Sequence, residues 1–293
     1  MIVVKEKGYA KINLFLDVLN KREDGFHDIK TVMHAVSLAD ELFFCVSPST
    51  ETNVILKIIG DDAIPTDGRN LVVKAAKGFS SKSKRKFKAE ITLVKNIPSS
   101  AGLAGGSSDA AATLRALNRL FEFPLSQDEL LSLASSLGSD VPFCLVGGTA
   151  LCEGRGEVLT PLSVDKKMYF VIAKGNSSVS TPEAYSRLDE LYSDFADYDI
   201  GIAEKRYEIF SDSLHSGDLS ASLYNIFEEA VSSQAPEVAR LKSLLLNELG
   251  AKAAIMSGSG PAVFAVFESE DEAVSAVNRL NSLNITAYAV NSI

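Results

Sequence analysis

A glycine- and serine-rich segment in the first half of the chain has the residue types that bind phosphate. It reads Pro98, Ser99, Ser100, Ala101, Gly102, Leu103, Ala104, Gly105, Gly106, Ser107 and Ser108. An apolar, strand-like stretch precedes it, and apolar residues then recur every three or four positions to Phe121, which predicts a helix. Glycines just before a helix let the backbone approach a ligand and direct free N–H groups at it, which suits phosphate. A plain strand-to-helix turn is the alternative, but three glycines within five residues and two serines exceed what a turn needs.

The segment matches neither of the commonest nucleotide-binding loops. No Gly-Lys-Ser/Thr follows it, so it is not a Walker A loop, and its glycine spacing differs from the dinucleotide fingerprint. We expect Ser107 or Ser108 to cap the helix, because a serine oxygen accepts from the first free N–H groups. Asp109 would then lie in the first turn, where the helix dipole favours a negative charge.

Three other segments carry polar residues beside apolar ones. Lys11 lies in an alternating, strand-like stretch, Asp140 follows the end of a predicted helix, and Gly258, Ser259 and Gly260 separate two apolar strands. Each has an ordinary structural explanation when taken alone. A strand lysine is usually solvated, an aspartate after a helix is usually a cap or turn residue, and a Gly-Ser loop can be a hairpin.

Length and composition set limits on the class of protein. The 293 residues can bury a large core and form two domains, and 46% hydrophobic with 23% charged residues is typical of a soluble globular protein. A net charge of -9 gives no general attraction to nucleic acid or anionic membranes, and we interpret the basic run 82–88 as a solvated loop. Three cysteines without a CxxC pair argue against a disulfide framework or a zinc site. With no signal peptide or membrane-length apolar run, we expect a cytoplasmic protein.

The periodicity predicts an α+β fold with two domains, 1–160 and 161–293. The predicted strands are 2–18, 29–46 with a break at 37–40, 53–59, 87–95, 148–153, 169–173, 252–256, 262–267 and 284–290. The predicted helices are 71–79, 107–121, 130–137 after a capping box at 126–129, 183–192, 219–233, 236–248 and 270–280.

The order of these motifs resembles that of the GHMP kinases, which phosphorylate galactose, homoserine, mevalonate and phosphomevalonate. The family pattern Pro-x-x-x-Gly-Leu-x-Gly-Gly-Ser-Ser-x-Ala is matched at Pro98 to Ala110. The resemblance implies a two-domain GHMP kinase fold, with an N-terminal domain similar to ribosomal protein S5 domain 2 and a ferredoxin-like C-terminal domain. An intact loop with both Lys11 and Asp140 argues against the alternative, an inactive member of the fold that only binds a ligand.

The resemblance also implies an ATP-dependent reaction and roles for the polar residues. The loop from Pro98 to Ser108 would hold the ATP phosphates, with Ser107 or Ser108 contacting Mg²⁺ or a phosphate oxygen. No protein carboxylate is identified for Mg²⁺. Asp140 would accept the proton of the attacking hydroxyl, and Lys11 would neutralise both groups, since phosphoryl transfer depends on alignment and charge stabilisation.

Within the family, the similarity is greatest to members that phosphorylate the 2-hydroxyl of diphosphocytidyl methylerythritol in the non-mevalonate isoprenoid pathway. The segments that carry it are 10–16, 22–27, 138–143 and 258–260. Phe26, where those members usually have Tyr, and Tyr185, where they more often have Phe, would stack on the cytosine. His27 would hydrogen-bond the base.

The same resemblance places Asn13, Gly258, Ser259 and Gly260 at the substrate. We expect a small-molecule substrate, no nucleic-acid or membrane partner, and a monomer or weak homodimer. The alternative enzyme is a homoserine or mevalonate-type kinase. The aromatic residues of the expected cytosine pocket argue against it.

Overall fold

The structure is a computed structural model that describes residues 2–164, 166–175, 177, 179–196, 198–231 and 235–293. Contacts divide the chain into two compact units, each made of separate segments. Unit 1 contains the chain up to Ala10 together with Leu38–Ser99 and Ala104–Gly147, and unit 2 contains Lys11–Ser37, Ser100–Leu103 and Gly148–Ile293. The contiguous boundary at residue 160 therefore stays a prediction.

Helices and strands alternate irregularly along the chain, as an α+β fold requires. The strands are β1 (Ile2–Lys21), β2 (His27–Pro48), β3 (Asn53–Ile59), β4 (Phe87–Val94), β5 (Thr149–Glu153), β6 (Val158–Pro161), β7 (Tyr169–Lys174), β8 (Tyr224–Asn225), β9 (Ala253–Met256), β10 (Val263–Phe267) and β11 (Thr286–Asn291). The helices are α1 (Leu71–Ser83), α2 (Gly105–Leu120), α3 (Gln127–Leu137), α4 (Val141–Val146), α5 (Thr181–Leu191), α6 (Ile200–Ser216), α7 (Phe227–Val231), α8 (Pro236–Asn247) and α9 (Glu270–Ser282). No helix within these described ranges is long and apolar enough to cross a membrane.

Unit 1 packs helices on one face of a small sheet. Strand β4 pairs in parallel with β3 and antiparallel with the second half of β2. Every second residue of β4 is buried, namely Phe87, Ala89, Ile91 and Leu93, so the strand presents one apolar face. That face forms a core with the apolar sides of α1, α2 and α3, and α2 also packs on α4. The core holds α2 in place directly after the glycine loop.

Unit 2 contains an antiparallel sheet in the order β11-β7-β10-β9, on which α8 and α9 pack. Its remaining strands pair locally. The second half of β1 runs parallel to β8, with Phe15 opposite Tyr224, and the first half of β2 pairs antiparallel with β5. A single apolar cluster joins β1, β7, β10 and the helices α5, α7, α8 and α9.

Most predicted elements are confirmed, and the differences have physical causes. Strand β2 continues through 37–40, because the buried Asp40 carboxylate accepts backbone N–H groups of Asn96 and Ile97 and so does not end the strand. The predicted helix 219–233 is confirmed only at α7 (Phe227–Val231) and is wrong before it, where β8 occurs; residues 232 and 233 lie outside the described residues. Strand β6 and helices α4 and α6 were not predicted. Helix α6 has a weak apolar pattern, because only Ala203, Phe210 and Leu214 of its seventeen residues are buried.

Candidate active site

Lys11 and Asn13 lie on the same face of β1, and both are buried. Lys11 is only 4% exposed, and its Nζ donates to Asn13 Oδ1 at 2.6 Å. Asn13 Nδ2 donates in turn to Thr31 Oγ1 at 2.8 Å, and that hydroxyl donates to the Phe15 carbonyl. The ordinary explanation of Lys11 as a solvated strand lysine is therefore wrong. Burying an ammonium is costly, so an oriented, buried lysine indicates a specific role.

The beginning of the glycine loop lies against the C-terminal Gly-Ser-Gly loop within unit 2. Gly102 has a φ of 76°, and a Cβ placed on it would be 2.0 Å from the Ser257 carbonyl oxygen. Ser257 Oγ donates to the Gly102 carbonyl, and a Cβ on Gly258 would lie 3.4 Å from Asn13 Oδ1. The Lys11 N–H donates to the Leu103 carbonyl at 3.1 Å. Three predicted motifs therefore meet, at positions where only glycine fits.

Asn225 supports this arrangement and was missed in the sequence. Its Nδ2 donates to the carbonyls of Met256 and Gly258, each at 2.8 Å, and its Oδ1 accepts from the Phe227 N–H. The Ser259 hydroxyl lies 2.8 Å from that of Thr181 at the start of α5. Asn225 belongs to no recognisable motif and lies in a segment predicted as helix, so no sequence signal marks it.

The second part of the glycine loop, in unit 1, forms the first turn of α2. Helix α2 begins at Gly105, after Ala104 with a φ of 57°. The Ser108 N–H donates to the Ala104 carbonyl at 2.9 Å, and Ser108 Oγ donates to Tyr9 O at 2.6 Å. The expectation that Ser107 or Ser108 caps the helix is therefore wrong, because the helix starts two residues earlier. The N–H groups of the first turn, at Gly105 to Ser107, have no partner within the helix, which is the arrangement that receives an anion.

A buried ion network lies below this turn. Lys95 Nζ contacts the carboxylates of Asp40 and Asp109, with 2.9 Å to Asp109 Oδ2. A Cβ on Gly105 would be 3.2 Å from Lys95 Nζ, so the network directly supports the start of α2. Asp109 thus pairs with a lysine, and because α2 starts at Gly105 it lies beyond the first turn, so its predicted place in the first turn, at the helix dipole, is wrong. No sequence pattern marks this pairing, since Asp109 and Asp40 lie 14 and 55 residues away from Lys95 along the chain.

Burial and the attraction between opposite charges have competing effects on the pKa values in this network. Burial raises the pKa of Asp109 to about 8, because it outweighs the positive charge of Lys95, which lowers that pKa. Burial alone would lower the pKa of Lys95, but the charges of Asp109 and Asp40 outweigh it and raise that pKa. Asp109 Oδ1 is buried and has no hydrogen-bond partner among the described residues. Asp40 also accepts the N–H groups of Asn96 and Ile97, so both of its carboxylate oxygens have hydrogen-bond partners.

Asp140 immediately precedes α4 in unit 1. Its carbonyl accepts the Cys144 N–H at 3.0 Å, while its side chain makes no capping hydrogen bond to the helix. The structure therefore does not support the ordinary explanation of this carboxylate as a helix cap. Lys11 belongs to the other unit, and the pairing of the two residues stays a prediction.

His27 and Tyr185 form a stacked pair in unit 2. Their ring centroids are 4.6 Å apart with an interplanar angle of 22°, and His27 Nε2 lies 2.7 Å from Asp189 Oδ1. Phe26, on the preceding turn, is 52% exposed, and the Arg155 guanidinium lies 5.0 Å from its ring centroid. One exposed aromatic ring and a histidine with an oriented ring are suited to bind a planar base.

The remaining loop positions carry no charge of their own. Ser99 Oγ donates to Asp61 Oδ2 at 2.7 Å, Ser100 has a φ of 52°, and the Ala101 carbonyl accepts the Ala262 N–H at 3.3 Å. Pro98 and Leu103 continue the loop between β4 and α2. Within the described residues, no group of three or more His, Cys, Asp or Glu side chains is arranged to hold a metal ion.

Comparison with known proteins shows what this chain resembles. The family model for the GHMP kinases N terminal domain matches residues 70–148, and the GHMP kinases C terminal model matches residues 201–285. The chain is 42% identical over 279 residues to the 4-diphosphocytidyl-2-C-methyl-D-erythritol kinase of Caldicellulosiruptor saccharolyticus, covering 94% of this chain and 91% of that protein. The kinase of the same name from Listeria innocua is 42% identical over 284 residues, covering 96% and 93%.

The solved structures agree. A crystal structure of 4-(cytidine 5'-diphospho)-2C-methyl-D-erythritol kinase has a TM-score of 0.79 and 32% identity, covering 98% of each chain. A homoserine kinase from Cytophaga hutchinsonii has a TM-score of 0.73 at 21% identity, covering 99% of this chain and 94% of that one, and so shows the fold alone. With matches to both family domains and relatives of 42% identity along nearly its whole length, the chain belongs to the GHMP kinases, a family of small-molecule kinases.

Proposed function

We propose that the protein transfers the γ-phosphoryl group of ATP to the 2-hydroxyl of 4-diphosphocytidyl-2-C-methyl-D-erythritol. The observation that carries this proposal is the similarity to two kinases of that name at 42% identity, over more than nine-tenths of each chain. The same reaction places the protein in the synthesis of isoprenoid precursors by the non-mevalonate pathway.

The start of α2 provides the site for the ATP phosphates in this proposal. The first-turn N–H groups and the positive end of the helix dipole favour an anion. Because the Ser108 hydroxyl already donates inside the protein, Ser107 is the better candidate for a phosphate oxygen or Mg²⁺. Mg²⁺ would enter with ATP and neutralise phosphate charge.

Lys11 and Asp140 would act on the hydroxyl that attacks. Asp140 accepts its proton as general base, and the buried Lys11 ammonium lowers the cost of the negative charge that forms on the oxygen. Asn13 fixes the direction of the Lys11 head group through its 2.6 Å hydrogen bond. In this role Lys11 would be a point charge held in place before substrate arrives.

The cytidine end of the acceptor would bind at the turn between β1 and β2. The exposed face of Phe26 offers a stacking surface for the base, and Arg155 holds the opposite side of that ring. Tyr185 stacks on His27 and stays close to the same turn. Gly258, Ser259 and Gly260, held by Asn225, would approach the substrate phosphates.

ADP release with a panel of acceptors tests the proposal. Purified protein is assayed with ATP, Mg²⁺ and either 4-diphosphocytidyl-2-C-methyl-D-erythritol, homoserine or mevalonate. We expect turnover with the diphosphocytidyl acceptor and kcat/KM at least about 10³ lower with the other two, since each lacks the nucleotide that the site would bind. Equal or greater turnover with homoserine or mevalonate would refute the assignment, and ADP release that no acceptor increases would favour a catalytically inactive member.

A further inference from the structure

The hydrogen bond between His27 and Asp189 determines which ring nitrogen of His27 carries a proton. Asp189 Oδ1 lies 2.7 Å from His27 Nε2, and the side chain of His27 is 6% exposed. A carboxylate can only accept, so Nε2 donates and the neutral imidazole keeps its proton there. Nδ1 is then an acceptor, and it makes no hydrogen bond within the described residues.

Asp189 is itself fixed as a charged acceptor. Its second oxygen, Oδ2, lies 2.9 Å from Lys21 Nζ, and Lys21 also contacts Asp194. Burial alone would raise the pKa of Asp189, but the hydrogen bonds from Lys21 and His27 outweigh it and hold that pKa below its ordinary value. Tyr185, stacked on the imidazole, limits rotation of the ring. The protein therefore presents an oriented acceptor next to Phe26.

We propose, on the basis of the function proposed above, that Asp189 is a positioning residue that sets the His27 tautomer and thereby selects cytosine over uracil. The cytosine of a nucleotide has a single hydrogen-bond donor, its 4-amino group, so an acceptor such as Nδ1 can bind that base only there. Uracil carries an oxygen at the same position, and two acceptors facing each other lose a hydrogen bond and repel.

The substitution Asp189→Asn inverts this arrangement without changing the size of the side chain. Lys21 is a donor and holds the amide oxygen, so the NH₂ group turns towards His27 Nε2. Nε2 must then accept, and the imidazole proton moves to Nδ1. Nδ1 becomes a donor, which suits the 4-oxygen of uracil and not the 4-amino group of cytosine.

The matched control is Asp194→Asn. This exposed carboxylate is the other partner of Lys21, at 2.6 Å, and within the described residues it makes no hydrogen bond of its own to His27. The two substitutions remove the same charge beside the same lysine. Only Asp189→Asn changes the atom that faces the histidine.

The experiment measures kcat/KM with the diphosphocytidyl acceptor and with its diphosphouridyl analogue, together with the ¹⁵N shifts of the histidine rings at about pH 8, where imidazole is neutral. We expect wild type and Asp194→Asn to favour the cytidine compound equally and to show the His27 proton on Nε2. In Asp189→Asn, that preference should fall by about 10–100-fold, mainly through KM, and the proton should appear on Nδ1.

The outcomes separate this inference from the function on which it rests. Absence of wild-type turnover with the cytidine compound would overturn the proposed function. Normal turnover with an unchanged preference in Asp189→Asn would overturn only the role of Asp189. If that variant does not fold, the wild-type spectrum still decides, since a proton on Nδ1 of His27 contradicts the proposal.

Discussion

The buried imidazole of His34 should make the stability of the protein depend on pH in a predictable direction. His34 is 2% exposed, and its Nδ1 lies 2.7 Å from Thr149 Oγ1. Its Nε2 is buried and has no hydrogen-bond partner in the part of the chain that the structure describes. Burial lowers the pKa of His34 from 6.5 to about 4, because no group nearby compensates for the lost hydration of the charged ring.

The sign and size of the effect follow from this shift. As the pH falls below 6.5, the unfolded chain binds a proton at this histidine while the folded protein does not until about pH 4. The contribution of His34 to the free energy of unfolding is therefore fully present above pH 6.5, its pKa in the unfolded chain. It is lost as the pH falls towards about 4, its pKa in the folded protein. Between about pH 7.5 and pH 5 the loss is about 2 kcal/mol, from the two binding equilibria.

Urea unfolding at the two pH values measures this loss, with His34→Gln as the variant that cannot titrate. Other buried groups contribute equally to both proteins, so the pH dependence of the wild-type unfolding free energy should exceed that of His34→Gln by about 2 kcal/mol. His215→Gln, at an exposed position on α6, should behave as wild type. Parallel pH curves for wild type and His34→Gln, or a native His34 that titrates near 6.5 by NMR, would refute the reasoning.

Three further predictions, which use five substitutions, test the site and its support. Asp140→Asn should lower kcat about 10²–10⁴-fold with little change in KM, and a fully active variant would contradict its role as general base. Gly102→Ala should destabilise the protein by roughly 2 kcal/mol more than Gly25→Ala. Both glycines have a positive φ, but of the two only Gly102 has a backbone atom 2.0 Å from the added Cβ. Equal unfolding free energies for the two variants would refute this close approach. Asp40→Ala should cost about 3 kcal/mol, because Lys95 and the N–H groups of Asn96 and Ile97 all lose their acceptor. Asp109→Asn should cost less than about 1 kcal/mol, because it keeps the side-chain size and burial already raises the pKa of Asp109 to about 8; the reverse order in urea unfolding would contradict this reasoning.

Local pattern was enough to find most elements and the polar motifs. The capping box at Ser126 and Glu129 opens α3 as predicted, because both of its hydrogen bonds form between residues three positions apart. The alternation in β4 predicts its buried face for a similar reason, since period two is a property of the strand itself. The break predicted at 37–40 was wrong, because the hydrogen-bond partners of Asp40 are more than fifty residues away along the chain.

Residue types and spacing by themselves predicted an α+β fold and a phosphate-type glycine loop, and the resemblance to the GHMP kinases added the roles expected of Lys11 and Asp140. Only the tertiary structure decided that α2 starts at Gly105, that Lys95 supports it between two carboxylates, and that Asn225 holds Gly258. The tertiary structure alone also decided that His27 pairs with Asp189, which is 162 residues away along the chain. The physical reason is that capping and amphipathic periodicity act between near neighbours, whereas burial of a charge and the choice of its partner depend on segments that folding alone brings together.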